Sequence, residues 1–423
     1  MSNEKYQLFL QILKEELIPA MGCTEPAAIA YAGAKAKSYL DATGEEPINA
    51  LVEASGNIVK NVKSVTVPNT CGLKGIEAAL AAGILLGNPN AELQVLSEIT
   101  ESQAPAIADF LKTFPIKVIR ACSDEVFEIG VTLNSKNHTV YLKMVGDHTN
   151  VAIVKLDGNV LFENKDALPQ KHSDRSSLSV EEIINFADTV KIEDVKEVIE
   201  RQIDCNMAIA EEGLKNKYGA NIGKVYLISD PKNVKVKAKA YAAAGSDARM
   251  NGCELPVIIN SGSGNQGMTA SIPVIVFAEH LGSSREDLIR ALCLSNLLTI
   301  HLKTGIGTLS AYCGVISAGA CAACGIVYLR GGKLHAISHT LVNALATSSG
   351  IICDGAKASC AAKIALAVES GLLGMDMYYH DCEFYAGEGI VKNSVEKTIA
   401  SVSRLAYVGM KETDKEIISI MLD

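Results

Sequence analysis

AYCGVISAGACAACGI, residues 311–326, and GIICDGAKASCAAK, residues 350–363, together hold five of the twelve cysteines in this chain of 423 residues. The thiols lie among Gly and Ala with few charges nearby, a setting that packs them together away from bulk water. Uncharged runs of small residues suit closely packed helices. The stretch therefore points to a mainly helical core organised around its cysteines.

The rest of the composition agrees. The chain is 48% hydrophobic but only 5% aromatic and lacks Trp, so its interior must be built from Ala, Ile, Leu and Val at close backbone approach. Its length suggests two or three packed units, or one large core with an insertion. A formal charge of −9, from 39 Lys and Arg against 48 Asp and Glu, argues against a nucleic-acid surface and suits a small-molecule substrate. The opening MSNEKYQLFLQILKEEL carries acids inside its apolar run and reads as an amphipathic helix, not a signal peptide. A cytoplasmic protein is expected, its cysteines reduced or acting as ligands. Two uncharged runs, 255–278 and 304–329, exceed the roughly 20 residues of a bilayer span. Both are rich in Gly, Ser, Asn or Cys, and Pro273 interrupts the first, so buried segments are expected and no membrane partner. Oligomeric state is not written in the sequence, and a homo-oligomer stays open.

Along the chain, a helix is expected over 5–17, then a break, then a second helix over 25–40 with Thr24 as N-cap and Pro26 in its first turn. Cys23 precedes that helix, where unpaired amides and the macrodipole favour a thiolate. It also reads as a small buried hydrophobe in a tight turn. Strands are expected over 48–53 and 64–67, flanking a polar loop at 55–61 whose Asn57, Lys60 and Asn61 offer donors for a carboxylate. After a helix over 76–86, strand signals dominate at 93–96, 116–119, 126–133, 139–145, 151–156 and 160–162. Alternation in FEIGVTL and TVYLKMV predicts antiparallel hairpins with one wet face. His148, in the GDHTN loop, is either a solvated turn residue or a catalytic imidazole. Polar residues 164–179 read as a boundary, followed by helices over 180–190 and 192–216, short strands at 225–228 and 256–259, and helix after helix past Gly267. The expected fold class is α+β: N-terminal helices over 1–45 joining the catalytic core, an inserted α/β unit with antiparallel strands over 46–165, and a mainly helical catalytic domain over 166–423.

Three constellations compete for the chemistry. Gly262-Ser263-Gly264-Asn265-Gln266-Gly267 is formally a dinucleotide fingerprint, but a helix-like stretch, SREDLIRALCLSNLL, follows where a second strand and an acidic residue belong. A glycine loop presenting backbone amides to an anion remains a reasonable reading. Cys321-x2-Cys324 with His335-x3-His339 has zinc-like spacing, yet GACAACGIVYL lacks the polar turns of a zinc module, and small thiols pack well on a buried helix. Cys313, Cys353 and Cys360 share no short motif. Three thiolates would nevertheless hold three irons of a [4Fe-4S] cluster and leave the fourth as an open Lewis acid.

MGCTEPAAIA, ASGNIVKN, GDHTN, SGSGNQG, AYCG and IICDGAK, in this order, resemble the L-cysteine desulfidase family, itself similar to the alpha chain of iron-sulfur-dependent serine dehydratases. The resemblance covers nearly the whole chain. It implies cluster ligands at Cys313, Cys353 and Cys360 and a catalytic base at Cys23, with no departure at those four positions. The activity it implies is β-elimination from a small L-amino acid without pyridoxal phosphate, L-cysteine giving sulfide, pyruvate and ammonia. Ser263, Asn265 and Gln266, with Asn57, Lys60 and Asn61, are the candidates for holding the amino acid, and His148 for a second proton transfer. L-serine dehydration is the alternative with the same machinery, and a non-catalytic amino-acid or iron-sulfur sensor is the alternative from another class.

Overall fold

The uncharged runs around the cysteines fold as helices, because Ala, Gly and Leu at successive turns let backbones approach on several sides. In the computed structural model, which describes residues 1–21, 24–123, 125–164, 173–307 and 310–422, the fold is α+β. No helix of the described residues is long and apolar enough to cross a membrane. The chain divides into two compact units. One comprises Met1–Met21, His172–Cys353 and Ala358–Asp414, and the other Gly22–Lys171, Asp354–Lys357 and Lys415–Asp423.

The first unit is helical. Helix Gly314–Leu329 runs through its middle with every residue from Val315 to Val327 buried, packed against Gly264–Leu281, Arg285–Ile306, Leu334–Ser348 and Cys360–Tyr379. Gly371 lets the last of these lie directly on it, since a Cβ there would overlap the Gly319 carbonyl oxygen. One short antiparallel pair, β1 (Pro19–Met21) with a later strand at Pro256–Ile258, leads into the glycine loop before Gly264–Leu281. Buried amides clamp that loop. Asn206 bonds both the N–H and the C=O of Ile258, while Asn260 donates to Asn296, which exchanges hydrogen bonds with Gln202. Each of these amides is fully buried, so the network fixes the loop at a cost that only complete pairing offsets.

The second unit carries a six-stranded mixed sheet of β2 (Asn49–Ala54), β3 (Ile116–Arg120), β4 (Glu128–Asn134), β5 (Thr139–Val145), β6 (Val151–Leu156) and β7 (Asn159–Glu163). Its order is β3-β2-β4-β5-β6-β7, parallel only between β2 and β3. The expected wet face exists on β5, whose burial alternates, and β7 is exposed throughout, but the first half of β4 is buried on both faces. Helix Thr24–Asp41 lies on β4 and β5 and packs against Gly75–Leu86 around a core that includes Ala30, Leu80, Val131 and Leu142.

Four local expectations need correction. The polar loop at 55–61 is a helix, Gly56–Val62, because Ile58, Val59 and Val62 fall on one face and are fully buried. Residues 64–67 make only an isolated bridge, Thr66 to Lys74, and 93–96 begin in a single 3-10 turn, Glu92–Gln94. Residues 225–228 belong to helix Ile222–Ser229, where Gly223 abuts Ala240 and Ala244 while Val225 and Ile228 point to solvent. Strand-prone side chains there have no sheet to join, and packing of the glycine decides.

Helix Thr24–Asp41 is held close by Gly83, where a Cβ would overlap the Ala30 carbonyl. Gly83→Ala is expected to destabilise the protein by about 1–3 kcal/mol through overpacking. An unchanged urea midpoint would show that the two backbones separate freely.

Candidate functional site

Two peptide groups bring together cysteines that lie 40 positions apart. Tyr312 and Ile352 form an antiparallel bridge, in which the Cys313 N–H donates to Ile351 O at 3.0 Å and the Cys353 N–H to Ala311 O at 2.6 Å. Cys313 is the N-cap of helix Gly314–Leu329, and Cys360 is the first residue of Cys360–Tyr379. Two of the three thiols therefore sit at the positive ends of helices, where anionic sulfur is favoured.

The thiols sense one another. The Cys353 thiol beside it, and then burial, push the Cys313 thiol well above the ordinary cysteine range, and Cys360 pushes the same way. Cys321 and Cys324 differ in cause. Burial drives the first up to about 12 and the second well above the ordinary range, and Cys324 donates to Ile337 O at 3.6 Å as a protonated packing residue would. A thiol whose ionisation its neighbours oppose suits a site whose cation would neutralise it. Among the described residues the one trio whose ligand atoms all fall within 4.8 Å of each other is His335, His339 and Glu383. With three sulfurs as its ligands a [4Fe-4S] group would keep one iron without a protein ligand.

A continuous set of polar groups leads away from Cys313. Gly314 abuts the Gln266 amide, whose Oε1 would lie 2.7 Å from a Cβ at that glycine. Gln266 and Asn265 open helix Gly264–Leu281, capped by Ser263, whose Oγ accepts from the Gln266 N–H. Gly264 in turn abuts Arg249, at the end of helix Val234–Met250. Arg249 Nε, Asn265 Oδ1 and Gln266 Oε1 are all buried without a hydrogen-bond partner among the described residues. Such orphans are rare, and a cluster of them fits a ligand. Their chemistry is complementary to an amino-acid zwitterion: a guanidinium and a helix N-terminus for the carboxylate, two amide oxygens for the ammonium.

The other predicted residues fall in the sheet-bearing unit. His148 Nε2 lies 3.1 Å from Thr24 Oγ1, which donates to Glu25, and Asn61 Nδ2 donates to the second Glu25 oxygen at 3.1 Å. Phe127 stacks obliquely on the His148 ring, 4.6 Å between centroids. Lys60 is buried and its carbonyl accepts from the Ala356 N–H, an approach possible because Gly355, at φ +91°, has no Cβ to overlap that oxygen. Within this unit the CTEP, GNIVKN, GDHTN and DGAK segments are thus in mutual contact or joined by hydrogen bonds, apart from Cys23, which lies outside the described residues. Asn57 is partly buried on the Gly56–Val62 helix. Arg249 was missed by sequence reasoning. Its signal is a lone cation closing the Ala-rich run AYAAAGSDARM just before a turn.

Residues 90–419 match the family described as serine dehydratase alpha chain. The chain is 54% identical to a UPF0597 protein of Desulfitobacterium hafniense, over 99% of this chain and 97% of that one. It is 48% identical to a UPF0597 protein of Lachnoclostridium phytofermentans, over 99% and 100% of the two chains, and 44% identical to one of Treponema denticola, over 100% and 99%.

Two residues before Arg249, Asp247 is 1% exposed, and burial pushes its carboxyl up to about 6, against the hydrogen bond from the Gly223 N–H at 2.9 Å. A folded-state pKa above the ordinary value means that the folded chain holds this proton more tightly than the unfolded one. Stability from this group is therefore complete below about pH 4 and is lost as pH rises through about 6. Asp247→Asn keeps an acceptor for Gly223 and is expected to flatten that part of the melting temperature against pH curve. An identical pH profile in the variant would show that Asp247 ionises freely.

Proposed function

The chain belongs to the serine dehydratase alpha chain family, and from that premise we propose that it is a [4Fe-4S]-dependent lyase of the cytoplasm that converts L-cysteine to sulfide, pyruvate and ammonia. What supports this reading is the meeting of Cys313 and Cys353, with Cys360 in electrostatic reach, at the end of a run of polar groups in which Arg249 Nε, Asn265 Oδ1 and Gln266 Oε1 are buried without a hydrogen-bond partner among the described residues. Cys313, Cys353 and Cys360 would hold the cluster, which supplies a Lewis acid at the iron they leave open.

The protein's own groups do the rest. Arg249 and the first amides of helix Gly264–Leu281, capped by Ser263, hold the substrate carboxylate. Asn265 Oδ1 and Gln266 Oε1 accept from its ammonium. The family resemblance adds Asn57, Lys60 and Asn61 to the candidates for binding the amino acid. Cys23, ahead of a helix N-terminus that favours its thiolate, takes the α-proton. Loss of that proton and of the β-thiol yields aminoacrylate and hydrogen sulfide, and the enamine, through its imine, hydrolyses to pyruvate and ammonia. His148, hydrogen-bonded to Thr24, carries the second proton. The family's name supports a second reading, dehydration of L-serine, in which the same residues act and water leaves.

Protein prepared without oxygen is expected to bind about four irons and four sulfides and to make pyruvate faster from L-cysteine than from L-serine. Cys353→Ala should lose both cluster and turnover. Faster turnover of serine would establish the dehydratase reading, and no pyruvate from either amino acid on cluster-loaded protein would favour a sensor. Arg249→Lys keeps the charge but loses the planar fork, and is expected to raise KM about 10- to 100-fold, the equivalent of about 1.5–3 kcal/mol, with a smaller change in kcat. An unchanged KM would remove Arg249 from the binding site.

A further inference from the structure

We propose that His335, His339 and Glu383 form a second metal site, one that takes a single divalent cation of zinc type and is separate from the cysteines. One ligand atom from each lies within 4.8 Å of the other two. The histidines are four apart on helix Leu334–Ser348, so they project from one face, and their rings lie 4.4 Å apart. Glu383 follows helix Cys360–Tyr379 and brings the negative charge that two neutral imidazoles lack.

His339 Nδ1 and Glu383 Oε2 are 2.8 Å apart, close enough for a hydrogen bond, yet Nδ1 is buried and has no hydrogen-bond partner among the described residues. The distance is right and the direction is wrong. Two donors aimed at a shared ion, and not at each other, have this relation. His335 Nδ1 lies 3.3 Å from Tyr378 Oη, the kind of outer contact that fixes a ligating imidazole and leaves Nε2 to the metal.

The backbone on either side of Glu383 is held. The Cys382 N–H donates to Met377 O at 2.8 Å, and the Phe384 N–H donates to Oδ1 of the buried Asn343 at 3.0 Å. His335 is exposed and gives the ion a route in, while His339 and Glu383 are half-buried. Two nitrogens, one carboxylate oxygen and an open position for water make a four-coordinate zinc site. The ion would pin the helix that runs toward Cys353 to the end of the helix that begins at Cys360.

The site stands independently of the elimination reading, and zinc itself is the probe. Full-length protein with its cluster in place, titrated with Zn2+, is expected to take up one ion per chain beyond any bound at sulfur. X-ray absorption at the zinc edge should show nitrogen and oxygen neighbours at about 2.0–2.2 Å. His339→Ala and Glu383→Gln should each weaken binding more than tenfold, and Tyr378→Phe about tenfold. Circular dichroism checks that each variant folds, and Glu383→Gln, a near-isosteric change, serves if His339→Ala does not. A shell built on sulfur, no zinc retained, or affinity indifferent to Glu383→Gln would overturn the proposal.

Discussion

The antiparallel bridge between Tyr312 and Ile352 is the contact on which the cysteine site depends. Closing a loop of 40 residues costs about 3 kcal/mol in chain entropy before any constant term, at or above the about 1–3 kcal/mol that two peptide hydrogen bonds return in water. The bridge persists because the intervening chain folds into Gly314–Leu329 and Leu334–Ser348, which pack on each other and bury Tyr312 to 1% exposure. Cys313 and Cys353 are thus brought together by helix packing, and the bridge sets their register. This is why no short motif joins them in sequence.

The same packing explains the abundance of small residues. Helices that touch through Gly319, Gly371 and Gly83 leave no space for larger side chains, so the core needs few aromatics. Close backbone approach also exposes polar backbone to its neighbours, and the fold answers with side-chain amides. Asn260, Asn296 and Gln202 are fully buried and bonded to one another, and buried Asn206 bonds the Ile258 backbone, together holding the glycine loop on the start of helix Gly264–Leu281. A rigid loop keeps Asn265 Oδ1 and Gln266 Oε1 oriented without hydrogen-bond partners among the described residues, which is what a preorganised ligand site requires.

Much of the fold was legible because the signals were long. The Ala-rich helices, the alternating strand at 139–145 and the α+β class follow from the pattern of the sequence. Short apolar runs misled. Residues 225–228 have the side chains of a strand, but a glycine against Ala244 makes them a helix, a fact of tertiary contact that no window of sequence contains. Of the candidate site, the cysteines and the polar residues at 57–61 could be named through the family resemblance and not through any short motif. Arg249 could not, because one arginine at a helix end looks like any surface cation until Gly264 is seen against it. The zinc-like spacing was half informative. His335 and His339 do converge, on Glu383, while Cys321 and Cys324 point into the core.

The division of labour among the groups around Gly264 bears on substrate choice. Arg249, Asn265 and Gln266 are complementary to a carboxylate and an ammonium, which L-cysteine and L-serine share, so under the proposed function they would not tell the two apart. Discrimination has to arise where the β-substituent lies. A hydroxyl and a thiol differ there in size, hydrogen-bonding strength and softness, and soft sulfur ligands favour iron held by thiolates. On the proposed reading, three cysteines holding iron would favour a thiol leaving group over a hydroxyl. A dehydratase built on the same frame has to offset that bias with hydrogen bonds to the hydroxyl oxygen, because a buried polar leaving group without partners is penalised far more than one that finds them.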